Sequence, residues 1–586
     1  MPTLSWIGKE KVVNHHTQVP FRVLDHLYGY DSRNPDIKEP TGSGNKIIHG
    51  ENLEALKALL PEFEGKIDCE YIDPPYNTGN EAWVYNDNVN DPHIKKWLGE
   101  VVGREGEDMS RHDKWLCMIY PRLRLLYKLL SDQGVIFISI DDNEEANLKM
   151  ICDEIFGSNC FVANISWQRT YSKRNDRQGF MTEVEHILVY SKKPNWLPNR
   201  LPRTEAMNQS YANPDNDSRP WASVIATAPS ASTHQGMVYA IQHPFTGELI
   251  YPPAGRCWTF EQSEMMRIMS QWADYKYEEL NDKNQRASVC KVDVDNVREN
   301  IKAIMLAESL ESARTKAETI QKNGPWPILY FTKNGLGGMR RKTYLDKVEG
   351  TPPTNYFPWS DVGHTDEATK ELIDIFGGES PFDTPKPTRL LERILTIATH
   401  KDSIILDSFA GSGTTAHAIL KKNAEDGGNR KFILVELGNY AESVTAERVR
   451  RVMKGYGEGK NAVKGLEGKF DFYELGEPLF LEDGKINSHI DIKKIREYIY
   501  YSETHQPIPQ ENVNQRYWMG NYGGTGYYFY YDPDKISNLS IKTLGKVIIQ
   551  PAESYIVYAD TCSLSKEFLA THHIYFKRTP IDIKHF

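Results

Sequence analysis

Apolar runs of strand length, separated by stretches with helical periodicity, constrain the fold of this chain more than any other feature. The run at 134–140 is almost continuously apolar, which is typical of a strand buried on both faces of a parallel sheet. Similar runs occupy 403–407 and 431–435, and a helical pattern at 113–130 precedes the first of them. This alternation predicts an α/β fold with a doubly wound, mostly parallel sheet.

A strand predicted at 67–72 ends in an abrupt proline turn. Asp73 therefore lies at the carboxyl end of a strand and is followed by Pro74, Pro75 and the aromatic ring of Tyr76. Open α/β sheets bind their ligands at this end of the strands. A strand that simply ends in a proline turn is the plainer alternative. The aromatic residue in the fourth place favours a functional site, because Asp-Pro-Pro-Tyr resembles the catalytic signature of amino-group DNA methyltransferases.

These residue types suit methylation of an exocyclic amino group. The amino nitrogen of adenine or cytosine is a poor nucleophile, because its lone pair is delocalised into the ring. The Asp73 carboxylate and the Pro74 carbonyl can each accept one N–H hydrogen bond, which draws the nitrogen toward tetrahedral geometry and frees the lone pair. The prolines would hold the carbonyl in position, and the Tyr76 ring offers a stacking face for a base flipped out of the duplex.

A second candidate site follows the strand that ends at Asp407. Gly411 and Gly413 permit a tight strand-to-helix turn and close approach of a ligand to a helix N-terminus. The spacing also fits the dinucleotide fingerprint, with Glu436 as its ribose-binding acid, so a nicotinamide-dependent oxidoreductase is an alternative from another class. S-adenosylmethionine fits better, because Asp407 would attract a methionyl ammonium but repel a pyrophosphate. The segment 382–387 opens an amphipathic helix that could close over the methionine end.

Composition narrows the class of protein. A chain of 586 residues predicts about three to four domains. No apolar run approaches the ~18 residues of a membrane span and no signal-peptide pattern is evident, so a cytoplasmic protein is expected. The seven cysteines form no C-x-x-C pair, which indicates neither a zinc site nor a disulfide framework, and no metal is expected. A net charge of −10 argues against a generally sticky nucleic-acid binder but permits a local basic groove.

Two basic segments are candidate DNA contacts. The segment 167–177 mixes cations with aromatic residues, as phosphate contact combined with base stacking requires, although a solvated loop is an equal alternative. The second cluster, at 340–342, follows a glycine-rich turn. The candidate residues are Arg169, Lys173, Arg174, Arg177, Arg340, Arg341 and Lys342.

The pattern divides the chain into five parts. The predicted parts are an N-terminal arm at 1–45, the first catalytic segment at 46–194, an inserted target-recognition domain at 195–380, the second catalytic segment at 381–455 and a C-terminal module at 456–586.

The order of the motifs carries a specific resemblance. Asp-Pro-Pro-Tyr-Asn-Thr-Gly at 73–79 is followed by the insert, by Phe-x-x-Pro-Lys-Pro at 382–387 and by Asp-x-Phe-Ala-Gly-Ser-Gly-Thr-Thr at 407–415. This is the circularly permuted order of β-class amino methyltransferases, and the combination resembles the modification (Mod) subunits of Type III restriction-modification systems. The resemblance implies a seven-stranded, Rossmann-like methyltransferase sheet. The strands before Asp73 and Asp407 would be neighbours at the topological switch point.

The resemblance also implies a function and a role for each motif. The expected enzyme is a site-specific methyltransferase that moves the methyl group of S-adenosylmethionine to N6 of an adenine flipped out of double-stranded DNA, with cytosine N4 as the alternative. A restriction (helicase–nuclease) subunit or a second copy of the chain would be its protein partner. The implied base-site residues are Asp73, Pro74, Pro75 and Tyr76, and the implied cofactor residues are Asp407, Phe409, Ala410, Gly411, Gly413, Thr414, Glu436 as the ribose acid, and Lys386 near the methionine end.

Overall fold

The computed structural model describes residues 3–35, 37–78, 111–171 and 180–584. The chain forms two compact units, one made of Met1–Asn199 with Pro353–Phe586 and the other of Arg200–Pro352. Within the described part of the chain, every helix is too short or too polar to cross a lipid bilayer.

The larger unit is built on one mostly parallel sheet, which confirms the predicted α/β class. Its strands, numbered along the chain, are β1 (Arg22–Asp31), β2 (Lys46–His49), β3 (Ile67–Ile72), β4 (Leu130–Ile140), β5 (Phe161–Gln168), β6 (Val184–Ser191), β7 (Tyr356–Phe357), β8 (Ile404–Asp407), β9 (Lys431–Glu436) and β10 (Lys469–Pro478). Their order across the sheet is β1-β10-β2-β9-β8-β3-β4-β6-β5-β7. The antiparallel pairs are β1 with β10, β4 with β6, and β6 with β5.

Strands β3 and β8 are parallel neighbours, as the resemblance implied. Ile405 is in register with Cys69, and Leu406 with Glu70. The two strands therefore end on the same edge of the sheet and deliver both candidate motifs to one place.

The sheet has ten strands where seven were expected, because both ends of the chain add a strand each and β7, from the predicted insert, adds a third. Strand β10 comes from the predicted C-terminal module and pairs with β2. Strand β1 comes from the predicted N-terminal arm and pairs with β10 on its other side. Each added strand satisfies backbone groups that an edge strand would leave unpaired. The stacked rings of Tyr28 and Phe472, with centroids 5.2 Å apart, stabilise the pairing.

The larger unit also contains helices, most of which alternate with its strands along the chain. They are α1 (Lys9–Val12), α2 (His15–Gln18), α3 (Asn52–Phe63), α4 (Arg111–Leu129), α5 (Glu145–Ile155), α6 (Trp359–Val362), α7 (Thr365–Phe376), α8 (Thr388–Ala398), α9 (Thr414–Asp426), α10 (Glu447–Lys454), α11 (Ile492–Thr504), α12 (Ile541–Val547) and α13 (Lys566–Thr571). Helix α8 shows why they form, since Leu390, Leu391, Ile394 and Leu395 recur at helical spacing and are all buried.

The C-terminal residues of the larger unit also carry smaller sheets. A four-stranded sheet contains Trp518–Tyr522, Thr525–Phe529, Ser554–Ala559 and Ile574–Arg578. Two-stranded pairs are formed by Gly455–Tyr456 with Val463–Lys464 and by Asn538–Leu539 with Thr561–Cys562.

The smaller unit has its own aromatic core and is shorter than the predicted insert of 195–380. Its strands are Trp221–Ile225, Thr227–Pro229, Ile241–Gln242, Leu249–Ile250, Arg256–Trp258, Tyr275–Glu278, Ala303–Leu306, Leu329–Phe331 and Met339–Tyr344, and its helices are Glu205–Asn208, Gln262–Met269, Lys283–Cys290 and Leu310–Asn323. The chain leaves it at Pro352, since β7 then pairs with β5 of the large sheet and α6 and α7 follow.

Candidate functional site

The Asp73 carboxylate, just beyond β3, is held by two side chains. The Tyr76 hydroxyl donates to Oδ1 at 2.8 Å, and the Lys386 ammonium donates to Oδ2 at 2.6 Å. The side chain of Asp73 is 25% exposed, so the carboxylate remains accessible from outside the sheet.

The two proline carbonyls differ in their hydrogen bonding. The indole Nε1 of Trp115, on α4, donates to the carbonyl oxygen of Pro75 at 2.7 Å. Among the described residues, no donor is bonded to the carbonyl oxygen of Pro74. The chain then turns at Asn77, which has a left-handed backbone (φ 58°) and an amide that donates to the buried carboxylate of Glu144. Within the described part of the chain, the Pro74 carbonyl is therefore available as an acceptor next to Asp73 in sequence.

A second carboxylate, which is buried, lies close to that of Asp73. Glu185, at the start of β6, accepts a hydrogen bond from Tyr76 at 3.1 Å through Oε2 and one from Arg169 at 2.7 Å through Oε1. Lys386 Nζ lies 3.8 Å from Glu185 Oε2. Two carboxylates and two cations therefore balance in charge around the Tyr76 hydroxyl.

Lys386 is bonded to Asp73, a predicted base-site residue, although the resemblance placed Lys386 near the methionine end of the cofactor. Burial would lower the pKa of its ammonium, but the attraction of Asp73 and Glu185 outweighs burial and raises the pKa, so the side chain stays cationic. The ammonium lies 5.1 Å from the ring centroid of Tyr76 and 5.9 Å from that of Trp167. The segment 382–387 before α8 therefore meets both motifs, because the Phe382 ring lies beside Gly411 and Lys386, its single lysine, is bonded to Asp73.

The glycine loop after β8 is organised by two buried carboxylates. Asp407 accepts the backbone N–H of Phe409 at 3.0 Å through Oδ1 and the hydroxyl of Thr415 at 2.5 Å through Oδ2. Burial raises the pKa of Asp407 to about 7, against the lowering effect of these hydrogen bonds. At the end of β9, Glu436 accepts the backbone N–H groups of Gly411 at 2.7 Å and of Gly438 at 2.8 Å.

Both loop glycines have left-handed backbones, with φ of 52° at Gly411 and 80° at Gly413. A Cβ at Gly411 would lie 3.1 Å from the ring of Phe382, and one at Gly413 would lie 3.0 Å from the carbonyl oxygen of Thr445. The Thr445 hydroxyl in turn donates to the carbonyl of Gly411 at 2.6 Å. Both positions therefore require glycine, and the loop is pinned from the π-helical turn Ala441–Ala446.

Residues 67–447 match the model of a family described as DNA methylase. The chain belongs to this DNA methylase family.

Three relatives illustrate the match. The Type III restriction-modification enzyme StyLTI Mod subunit from Salmonella typhimurium (strain LT2) is 33% identical over 449 residues, which covers 71% of this chain and 59% of that protein. The EcoPI Mod subunit from Escherichia phage P1 is 28% identical over 471 residues, covering 74% and 63%. The Type II methyltransferase M.KpnI from Klebsiella pneumoniae is 29% identical over 426 residues, covering 71% and 86%. The chain thus spans about three fifths of the length of the Type III relatives.

The other predicted cofactor residues lie in or behind the loop. Phe409 and Ala410 are buried, and the backbone N–H of Ala410 donates to the carbonyl of Val435 at 3.1 Å. The Thr414 hydroxyl accepts a hydrogen bond at 2.7 Å from Arg448, a fully buried guanidinium on α10. Thr414 therefore holds the loop in place through its hydrogen bond to Arg448.

The basic residues of the DNA methylase differ in exposure. Arg340 and Arg341 are partly exposed on the strand Met339–Tyr344. Lys342, which was expected to contact DNA, is instead fully buried, with its ammonium 2.8 Å from Asp217 Oδ2 and bonded to Asp215. Two buried carboxylates require a compensating cation, so Lys342 is not accessible to a phosphate.

The remaining predicted DNA contacts lie in the first basic segment. Arg169 is bound to Glu185, and Lys173, Arg174 and Arg177 lie outside the described residues. Among the described residues, no group of three or more His, Cys, Asp or Glu side chains could hold a metal ion.

Sequence reasoning missed three residues of the site, Trp115, Glu185 and Arg448. Glu185 is a charged residue in a largely apolar strand, which is a weak signal of a buried polar role, whereas Arg448 is one of five charged residues in an eight-residue helix and gives no such signal. Their partners come from distant parts of the chain, so no local pattern identifies them.

Proposed function

We propose that this chain transfers the methyl group of S-adenosylmethionine to N6 of an adenine flipped out of double-stranded DNA. The observation that carries the proposal is the pair of acceptors after β3. The Asp73 carboxylate and the Pro74 carbonyl, to which no described residue donates, are consecutive in the chain just after β3, the strand next to the one that leads into the glycine loop. Two adjacent acceptors suit an exocyclic amino group, which has two hydrogens to donate.

The glycine loop is the proposed binding site for the cofactor. S-adenosylmethionine carries a positive charge and a ribose diol, and it supplies an electrophilic methyl group whose bonding electrons stay on sulfur when the methyl leaves. The carboxylates of Asp407 and Glu436 suit such a molecule, since they attract a cation and accept hydrogen bonds from hydroxyls. Two carboxylates would repel the pyrophosphate of a dinucleotide, and membership of the DNA methylase family also argues against the oxidoreductase alternative.

The residues of the base site would orient and activate the amino group. A base stacked on Tyr76 would donate its two amino hydrogens to Asp73 and to the Pro74 carbonyl, so that the nitrogen lone pair points out of the ring plane. After a bond forms between N6 and the methyl carbon, the nitrogen must lose one proton, and the Asp73 carboxylate is placed to accept it. The Lys386 ammonium fixes this carboxylate in position.

Adenine is the favoured base because an aspartate in the first place of the tetrapeptide resembles the adenine-specific members of the family. A carboxylate can hold the amino group of cytosine as well, so cytosine N4 is the alternative. The base is decided by methylating unmethylated bacterial DNA with labelled S-adenosylmethionine and analysing the nucleosides by mass spectrometry. We expect N6-methyladenine; a label in N4-methylcytosine would overturn the choice of base.

The biological setting follows from the relatives. We place the chain in the cytoplasm as the modification subunit of a Type III-like system, or as a solitary relative that needs no partner. The match to two Mod subunits supports the first, and the 86% coverage of M.KpnI supports the second. A restriction subunit and a second copy of the chain are the proposed partners. Copurification with a helicase–nuclease encoded beside this chain would decide for the Type III-like modification subunit.

The smaller unit, Arg200–Pro352, is the proposed target-recognition domain. Arg340 and Arg341 are its proposed phosphate contacts, because they are partly exposed on one strand, and Lys342 is omitted because it is buried. Mapping the methylated positions in the experiment above would give the recognition sequence.

A further inference from the structure

The Tyr76 hydroxyl lies between two carboxylates. Its oxygen is 2.8 Å from Asp73 Oδ1 and 3.1 Å from Glu185 Oε2. A phenol has a single hydrogen, so it can donate to only one of these oxygens at a time. The hydrogen therefore has two alternative positions, and they differ by rotation about one C–O bond.

The position of the hydroxyl hydrogen determines how well Asp73 can accept a hydrogen bond from a base. Lys386 already donates to Oδ2, so a hydroxyl hydrogen directed at Oδ1 would leave both oxygens of the carboxylate bonded before any base arrives. Each carboxylate oxygen has two lone pairs, but the hydroxyl hydrogen would occupy one of those on Oδ1 and draw charge from the other, so an incoming amino group would be held more weakly there. With the hydrogen directed at Glu185, Oδ1 is available to the base.

Glu185 is suited to be the alternative acceptor. It is buried, and its position on β6, paired with β4 and β5, holds it rigidly. Arg169 binds only Oε1, which leaves Oε2 directed at Tyr76 and Lys386. An ion pair with the 43%-exposed Arg169 contributes little to stability, so it does not by itself explain a buried carboxylate at this place.

We propose that Glu185 is a positioning residue that draws the Tyr76 hydrogen away from Asp73 when the target base enters. The hydrogen moves by rotation, so the ring stays in place as the stacking face. Before a base binds, the Tyr76 hydroxyl donates to Asp73. When the base binds, the hydroxyl donates to Glu185 instead and leaves Asp73 to the base. This inference rests on the proposed methyl transfer and assigns a residue that the motif chemistry leaves without a role.

A double-mutant cycle tests the proposal on the full-length chain. The variants are E185Q, Y76F and the two combined, with E183Q as the matched control, because it removes the same charge two residues away. An amide oxygen is a weaker acceptor than a carboxylate, so we expect E185Q to lower kcat by about tenfold while cofactor affinity is kept. In the Y76F background no hydroxyl competes for Asp73, so E185Q should change the remaining rate by less than about twofold.

Two results of the cycle would overturn the proposal. An equal loss from E185Q in both backgrounds would do so, since Glu185 would then act through charge or folding. The proposal also fails if E183Q lowers kcat as much as E185Q, because the loss would then reflect the charge alone. A wild-type chain that methylates no DNA would instead count against the proposed function, so the two failures are distinguishable.

A second variant covers the case in which E185Q does not fold. E185D keeps the negative charge but withdraws the acceptor by one methylene from Tyr76. We expect the same Tyr76-dependent loss of kcat. A wild-type rate in E185D would show that the reach of this carboxylate to the hydroxyl is not needed, and would refute the proposal.

Discussion

Gly413 and Gly427 bound the same helix, α9, and their replacement by alanine separates backbone strain from damage to the cofactor loop. Both glycines are left-handed, with φ of 80° and 66°. A Cβ at Gly427 would have no neighbour within 4 Å, whereas one at Gly413 would lie 3.0 Å from the carbonyl oxygen of Thr445. The two substitutions thus share the backbone cost and differ in the contact.

The magnitudes follow from these contacts. An alanine with a left-handed backbone costs about 1–2 kcal/mol in the folded state. Alanine also lowers the conformational entropy of the unfolded chain, which offsets up to about 1 kcal/mol of this cost. G427A should therefore lower the free energy of unfolding by about 1 kcal/mol. G413A must also displace Thr445, which adds about 1–3 kcal/mol. Because Thr445 holds the carbonyl of Gly411, the loop moves with it, and we expect cofactor affinity to fall at least about tenfold.

The assay compares both variants with the wild type by urea unfolding and by calorimetric titration with S-adenosylmethionine. G427A should bind the cofactor normally despite its lower stability. Unchanged cofactor affinity in G413A would refute the assignment of this loop as the cofactor site. Equal loss of affinity in both variants would mean that stability alone sets binding.

Three further predictions test other parts of the site. D73N, which keeps the shape of the side chain, should reduce methyl transfer at least about a hundredfold and leave cofactor affinity within about twofold; loss of both would make Asp73 structural. With its pKa raised to about 7, Asp407 should be mostly protonated at pH 6, so cofactor binding measured by titration should tighten toward pH 8, and D407N should lose this pH dependence. Because the pKa of Asp407 is raised in the folded chain, the contribution of Asp407 to the free energy of unfolding is greatest below about pH 4 and is lost as the pH rises through about 7. Changing Arg340 and Arg341 to alanine should reduce the salt slope of DNA binding by about two. K342M should instead lower the free energy of unfolding by about 3–5 kcal/mol, because it leaves the carboxylates of Asp215 and Asp217 without a cation. A lower salt slope in K342M with no loss of stability would restore Lys342 to the DNA interface.

Much of the site could be predicted because its two motifs are local. The prolines after Asp73 end a strand wherever they occur, and Gly411 and Gly413 require a left-handed turn whatever surrounds them. Buried apolar runs in alternation with helices then place both motifs at the carboxyl edge of one sheet. These inferences depend on residues a few positions apart, which the order of the chain displays directly.

The α/β class, the two motifs and the family resemblance could all be read from the order of residues alone. The folded chain was needed to show that Lys386 meets Asp73, that Glu185 shares the Tyr76 hydroxyl, and that β1 and β10 complete the sheet. It was also needed to show that Lys342 is buried while Arg340 is not. This division arises because the partners of a charged side chain are set by burial and by distant segments. A basic cluster or a lone glutamate looks the same in sequence whether it faces water or another buried charge.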